Sequence, residues 1–275
     1  MEEYSFSTQS IEFEHIVNVR ELGGYLMSDG RRIRHGALLR GGRLRRATDG
    51  DIKRLSKEFH VAKVFDFRTQ EEREYAPDLE VPGAENIWLP TMDMDTNRLL
   101  GSTLPHEAYR DLPGFLLKHS SEPAVLQASR NLYPDLVYNE YSQLQYSSFL
   151  QMVATNPEGA VYWHCSQGKD RTGMGAAYLL AALGADKELI VRDFDISNEY
   201  YETEVADAIA LADASGGATD AFRETIRAFI GVSTENFVKV LGEIDSKYGS
   251  LESYLTDILL FDKDDMRMLR DKYLE

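Results

Sequence analysis

Residues 164–173 read His-Cys-Ser-Gln-Gly-Lys-Asp-Arg-Thr-Gly, between the apolar Ala160-Val161-Tyr162-Trp163 and the small, apolar residues 174–183. Such a run demands a buried strand, a tight turn and a helix in immediate succession, because turn residues bound the first segment and none interrupts the last. A turn of this kind leaves several backbone N–H groups unpaired in one concavity, beside the positive end of the helix dipole. An oxyanion fits there. Cys165, the only cysteine of the chain, stands at the bottom of the same cup. The local field should lower its pKa and populate the thiolate, which is the nucleophilic form.

A lone cysteine is by default an inert core residue, and an arginine six positions later would not change that. His164, Gly168, Arg171, Thr172 and Gly173 at fixed offsets around Cys165 do change it. Arg171 is suited to grip two equatorial oxygens of a phosphate through its planar fork, a geometry lysine cannot copy. Ser166, Gln167, Gly168, Lys169 and Gly173 complete the binding loop, the two glycines letting the backbone approach a ligand closely. Thr172 either hydrogen-bonds the sulfur and eases its departure or only caps the following helix. His164 is read as orienting the loop and supporting the thiolate instead of acting as a base. No other His, Cys or acid stands at ligand spacing from it, so neither a metal nor a cofactor is expected.

These residues resemble the loop of the cysteine-dependent protein tyrosine and dual-specificity phosphatases. The fuller string Gly168-Lys169-Asp170-Arg171-Thr172-Gly173 is similar to their bacterial branch, which includes mycobacterial secreted enzymes acting on phosphotyrosine, phosphoserine/threonine and phosphoinositides. Further likenesses are Asn18-Val19-Arg20-Glu21-Leu22-Gly23-Gly24, Leu39-Arg40-Gly41-Gly42, Asp66-Phe67-Arg68-Thr69 and Ser197-Asn198, while residues 91–141 match weakly. The resemblance implies an α/β fold with a central, mostly parallel sheet flanked by helices and a helical C-terminal extension. It also implies phosphomonoester hydrolysis through a cysteinyl-phosphate, on a phosphorylated protein with broad or dual specificity or, alternatively, on a phosphoinositide. Lys169 accompanies phosphoinositide activity in the resembling enzymes, against its plainer role as a solvent-exposed charge at the mouth.

The general acid that protonates the departing oxygen is less legible. A Trp-Pro-Asp loop is absent. Asp170, inside the cup, is the residue the resembling branch is thought to use. Asp135 in Tyr133-Pro134-Asp135 is the nearest imitation of the missing loop and the alternative, unless it merely starts a helix after proline. Asp93 and Asp95 are further options. Asp66, Arg68 and Arg20 are expected to brace the loop and not to react.

A chain of 275 residues, 43 % hydrophobic, buries a substantial core, and no second composition block splits it. One phosphatase domain over 1–275 is expected, with 91–121 as a variable lid or insertion and 200–275 as the helical extension. The formal net charge of −16 argues against nucleic acid as a partner. Arg31, Arg32, Arg34, Arg40, Arg43, Arg45 and Arg46 nonetheless cluster without an intervening acid. They form either a solvated edge or a basic rim favouring polyanions. No stretch approaches the roughly twenty apolar residues of a membrane span. Residues 1–10 carry no secretory pattern, and a cytoplasmic location is expected.

Along the chain, a hairpin is expected over 25–39 about Ser28-Asp29-Gly30. Strands are expected at 61–67, 86–89 and 160–163, and helices at 49–59 (capped by Thr48), 136–154 and 174–183 (closed by Gly184). Further helices follow at 187–199, 201–213, 221–229, 235–248, 251–259 and Lys263–Tyr273. A phosphoresidue-binding module without turnover is the competing class, which retention of both Cys165 and Arg171 disfavours. Sulfur transfer or arsenate reduction would ordinarily want more than one cysteine.

Overall fold

The structure, a computed structural model, describes residues 9–93 and 111–275. Five strands form one sheet in the order β1-β2-β5-β3-β4: β1 (Arg20–Glu21), β2 (Leu38–Gly41), β3 (Val61–Asp66), β4 (Glu85–Trp88) and β5 (Ala160–His164). All neighbours are parallel except β1 and β2. The central β5 is buried at every residue, as its continuous apolar run requires of a strand covered on both faces. In register, His164 stands opposite Gly41 on one side and Asp66 on the other, so three strands end level and open one edge of the sheet.

Twelve α-helices are described: α1 (Asp49–Lys53), α2 (Gln70–Tyr75), α3 (Leu112–His119), α4 (Pro123–Tyr138), α5 (Glu140–Ala154), α6 (Asp170–Leu183), α7 (Lys187–Tyr200), α8 (Glu202–Ala214), α9 (Asp220–Ile230), α10 (Thr234–Tyr248), α11 (Leu251–Asp257) and α12 (Lys263–Tyr273). α6 is buried from Thr172 to Leu183 and ends at Gly184 with φ 98°, a left-handed position that a side chain would resist. It lies in the main core, which draws on residues from Leu22 to Leu274. A second cluster on the other face of the sheet includes Val19, Leu39, Val64 and Tyr162, and a third joins α3, α4, α8 and α9.

Most sequence expectations for the elements hold within two residues or so. Thr48 caps α1 through a capping box with Asp51, although the helix continues into one π turn at Arg54–Glu58. Two do not hold. The single helix over 136–154 is two, because Asn139 leaves the helical region with ψ 123° and its side chain accepts from the Tyr141 amide to cap α5. α4 tolerates Pro134 and reaches back to Pro123, where the sequence pattern had been lost. The hairpin at 25–39 is reduced to a turn with a lone bridge between Leu26 and Arg32, since β2 pairs instead with β1 and β5. Of the expected lid or insertion at 91–121, residues 94–110 lie outside the described residues and Leu112–His119 is helix.

Candidate active site

The loop between β5 and α6 closes the open edge of the sheet, and its carbonyl groups are turned outward by a ring of donors. The Cys165 carbonyl lies 3.0 Å from His164 Nδ1. Tyr201 Oη donates to the Gln167 carbonyl (2.8 Å), and Asn18 Nδ2 donates to the Gln167 and Gly168 carbonyls (3.2 and 2.9 Å). Arg40 Nη2 donates to the carbonyls of Gly168 (3.0 Å) and Lys169 (3.3 Å). With the carbonyls facing the protein, the amides left over face the cup, where the first turn of α6 adds its own unpaired N–H groups. Gly168 has φ 69°, and a Cβ there would collide with the Gly41 carbonyl. Only glycine lets the loop lie on the end of β2.

Cys165 is 3 % exposed at the floor. Burial pushes its thiol pKa up, but the Arg171 guanidinium, the Thr172 hydroxyl and the Gln167 amide outweigh it, and the net direction is down. The Thr172 hydroxyl is buried and has no hydrogen-bond partner among the described residues. It does not cap α6, whose N-cap is Lys169, and it is among the groups that lower the Cys165 pKa.

Arg171 Nη1 and Nη2 meet Glu72 Oε2 and Oε1 at 2.6 and 2.7 Å. This bidentate pair occupies two of the five guanidinium donors and fixes the plane of the fork. Glu72 also accepts from Ser166 Oγ (2.6 Å) and from the Thr69 amide (2.9 Å), so one carboxylate ties α2, the loop and α6 together. Burial raises its pKa, but Arg171 and these donors prevail and hold it at about 2. Sequence reading missed Glu72, although Thr69-Gln70-Glu71-Glu72 is a legible capping box placed just after β3.

Beneath the loop, Arg68 Nε and Nη2 pair with Asp66 at 2.8 and 2.7 Å, and Nη2 also meets Asp78. Asp66 and Arg68 thus brace each other. Asp66, Asp78 and His164 present possible ligand atoms within 4.8 Å of one another, a proximity the sequence spacing did not reveal. Arg68 already supplies the positive charge that a cation would bring. His164 is fully buried, with Nε2 3.4 Å from Asp78 Oδ2 but making no hydrogen bond.

On the opposite side, Asp193 of α7 is a buried hub missed from sequence. It accepts from Arg20 Nε (3.2 Å), Arg40 Nη1 (2.5 Å) and Tyr25 Oη (3.1 Å). Burial raises its pKa, yet the two guanidinium groups hold it below the usual range. Arg40 is pushed down to about 10 by burial and then by Arg20. Its burial also corrects the basic rim, since Arg40 turns inward to the loop carbonyls. Arg20 braces the site through Asp193, Asn18 and Ser197. Asn18 itself sits at φ 55°, a conformation asparagine tolerates.

Lys169 departs most from expectation. Instead of a charge at the mouth, its Nζ is buried against the carbonyls of Phe229, Ile230 (2.9 Å) and Gly231 (2.6 Å), the C-terminal end of α9. Burial lowers its pKa, partly offset by Asp170. Asp170, the first residue of α6, accepts from Tyr133 Oη at 2.7 Å. Asp135 lies near the end of α4, 7 % exposed, with its Oδ1 3.4 Å from Asn139 Nδ2. Tyr133-Pro134-Asp135 is therefore helix, neither a Trp-Pro-Asp-like loop nor a helix start. Asp93 lies just after β4 in the described residues, and Asp95 lies outside them.

The tyrosine phosphatase family model matches residues 11–275, and the chain belongs to that family. A Cupriavidus necator protein provisionally named a tyrosine-protein phosphatase is 28 % identical over 269 residues, covering 96 % of this chain and 88 % of its own. A tyrosine-protein phosphatase of Nostoc commune is 33 % identical over 50 % of this chain and 49 % of its own. The triple specificity protein phosphatase PtpB of Mycobacterium tuberculosis is 32 % identical over 35 % of this chain and 38 % of its own. Among solved structures, P. aeruginosa TpbA aligns with a TM-score of 0.34 and 17 % identity, covering 71 % of this chain and 89 % of that one. No helix among the described residues is long and apolar enough to cross a membrane.

Proposed function

We propose that this chain hydrolyses phosphate monoesters through a cysteinyl-phosphate, with phosphotyrosine in proteins as its foremost substrate and a scope that extends to other phosphorylated residues. The observation that carries the reading is the buried sulfur of Cys165, whose pKa is lowered among loop amides and beside a guanidinium clamped by Glu72. The thiolate attacks phosphorus as the ester P–O bond breaks, and the leaving oxygen takes a proton from Asp170. Water then attacks the same phosphorus, gives a proton to Asp170, and releases inorganic phosphate and the thiolate. The remaining Arg171 donors and the inward amides hold the equatorial oxygens, where charge accumulates. Thr172 donates to sulfur as it leaves.

The chain is read as one phosphatase domain acting in the cytoplasm on a phosphorylated protein. Its single cysteine, which rules out an internal disulfide, supports that location. The breadth of scope draws on the M. tuberculosis relative, named for triple specificity. The phosphoinositide alternative loses two of its motivations, because Lys169 and Arg40 are engaged with carbonyl groups and Asp193. The decisive experiment is turnover of para-nitrophenyl phosphate by the wild type and by Cys165→Ser. A loss of at least about 10⁴-fold is expected, and equal rates would end the reading. Comparing kcat/KM for phosphotyrosyl peptides and phosphoinositides then decides the substrate class, with a lipid preference overturning the protein assignment.

A further inference from the structure

We propose that Tyr133 is a positioning residue for Asp170, selecting which carboxylate oxygen faces the leaving group; this rests on the reading of Asp170 as the proton donor. The phenol is fixed before it meets the carboxylate. Tyr133 is 1 % exposed, and its ring packs edge-on against Phe194 and Phe237 at centroid distances of 5.6 and 6.2 Å. Those two rings stack on each other at 3.8 Å. A side chain held from two sides in this way has little rotamer freedom left.

The hydrogen bonding at the phenol is one-directional. Burial, and then Asp170, keep the phenol protonated by pushing its pKa up. The O–H is thereby committed to Asp170 Oδ1 at 2.7 Å. Asp170 Oδ2 forms an ion pair with Lys169 Nζ at 3.7 Å, longer than a hydrogen bond, while three carbonyls at the end of α9 hold the same ammonium group more closely. Oδ2, held only by this longer ion pair, is the less constrained oxygen of a side chain that is 15 % exposed.

The chemistry follows from this division of labour. When Sγ–P forms and P–O breaks, the proton carried on Oδ2 passes to the leaving oxygen, and Oδ2 recovers a proton from the attacking water in the second step. The Tyr133 proton stays in place throughout. Without the phenol the carboxylate loses its shortest anchor, and the fraction of time that a proton points at the leaving oxygen falls.

The test is kcat/KM across aryl phosphates, from para-nitrophenyl phosphate to phenyl phosphate, for the wild type, Tyr133→Phe, Asp170→Glu and Asp170→Asn. A general acid matters most for the poorer leaving group, so the wild type should show a shallow dependence and Asp170→Asn a steep one. Tyr133→Phe should fall between them, losing about 10-fold on phenyl phosphate and no more than about 2-fold on para-nitrophenyl phosphate. Asp170→Glu, which displaces the carboxyl while keeping the phenol, should show the same intermediate slope if Tyr133→Phe is too unstable to assay. A Tyr133→Phe slope equal to that of the wild type, whatever the absolute rate, overturns the proposal, because a purely structural role would lower all substrates alike. A wild-type slope in Asp170→Asn instead overturns the assignment of Asp170 as acid, and the role of Tyr133 with it.

Discussion

The two walls of the cup neutralise their charges in different ways. On the β3–α2 side, the acids are partly open to water: the Glu72 side chain is 30 % exposed and that of Asp78 17 %. On the α7 side, Arg20, Arg40 and Asp193 are at most 1 % exposed. The open wall holds the Arg171 guanidinium through the partly exposed Glu72, where solvent can still modulate it. The sealed wall fixes the direction of the loop carbonyls. Charge near solvent tunes reactivity, whereas buried charge specifies geometry.

The largest effect is expected on the sealed wall. Asp193→Asn strands two buried guanidinium groups and should cost about 3–5 kcal/mol, read as a fall of roughly 10 °C in Tm. A fall under about 3 °C would show that the hub is not sealed in solution.

On the open wall, Arg171→Lys keeps the charge but loses the fork, and kcat/KM should drop by about 10²-fold or more. With Arg171→Met the largest influence lowering the Cys165 pKa disappears. Alkylation by iodoacetamide, followed against pH, should then have its midpoint move upward from a wild-type value below the free-thiol range near about 8.5. An unmoved midpoint would mean that the loop amides alone set the thiolate.

Glu72→Gln should cost about 2 kcal/mol at neutral pH, discounted for partial exposure. The folded carboxyl titrates at about 2, below its unfolded value near about 4.3. Its contribution is therefore complete above the unfolded value and is lost as pH falls through the folded one. Urea unfolding of wild type and variant should show a gap at pH 7 that closes toward pH 2, and a gap independent of pH would contradict the pairing.

The smallest effect belongs to Lys169→Met, which leaves three carbonyls at the end of α9 without their donor. A loss of about 1 kcal/mol is expected, with the ratio of kcat/KM for phosphopeptide and phosphoinositide unchanged. A selective loss on the lipid would restore Lys169 to the mouth.

The same contrast explains what was legible from residue order. Thr48 and Gly184 mark their helix ends by local capping chemistry, and each functions as expected. The cysteine loop was legible because strand, turn and helix follow one another without a gap. The break at Asn139 was missed because Pro134, two residues before the apolar run resumed, pointed to a boundary in the wrong place. Asp193 and Tyr133 carried no local signal, one reading as a polar residue in an amphipathic helix and the other as part of a spurious Tyr-Pro-Asp motif.

Residue order by itself determined the strand–loop–helix unit, the single sulfur and the arginine six positions later, because those depend on neighbours a few bonds away. Only the tertiary structure decided which charges meet: Glu72 on Arg171, Asp193 between Arg20 and Arg40, Lys169 on the end of α9, and Tyr133 on Asp170. Such pairings join residues far apart in the chain, and burial strengthens them by removing water. No spacing rule encodes them.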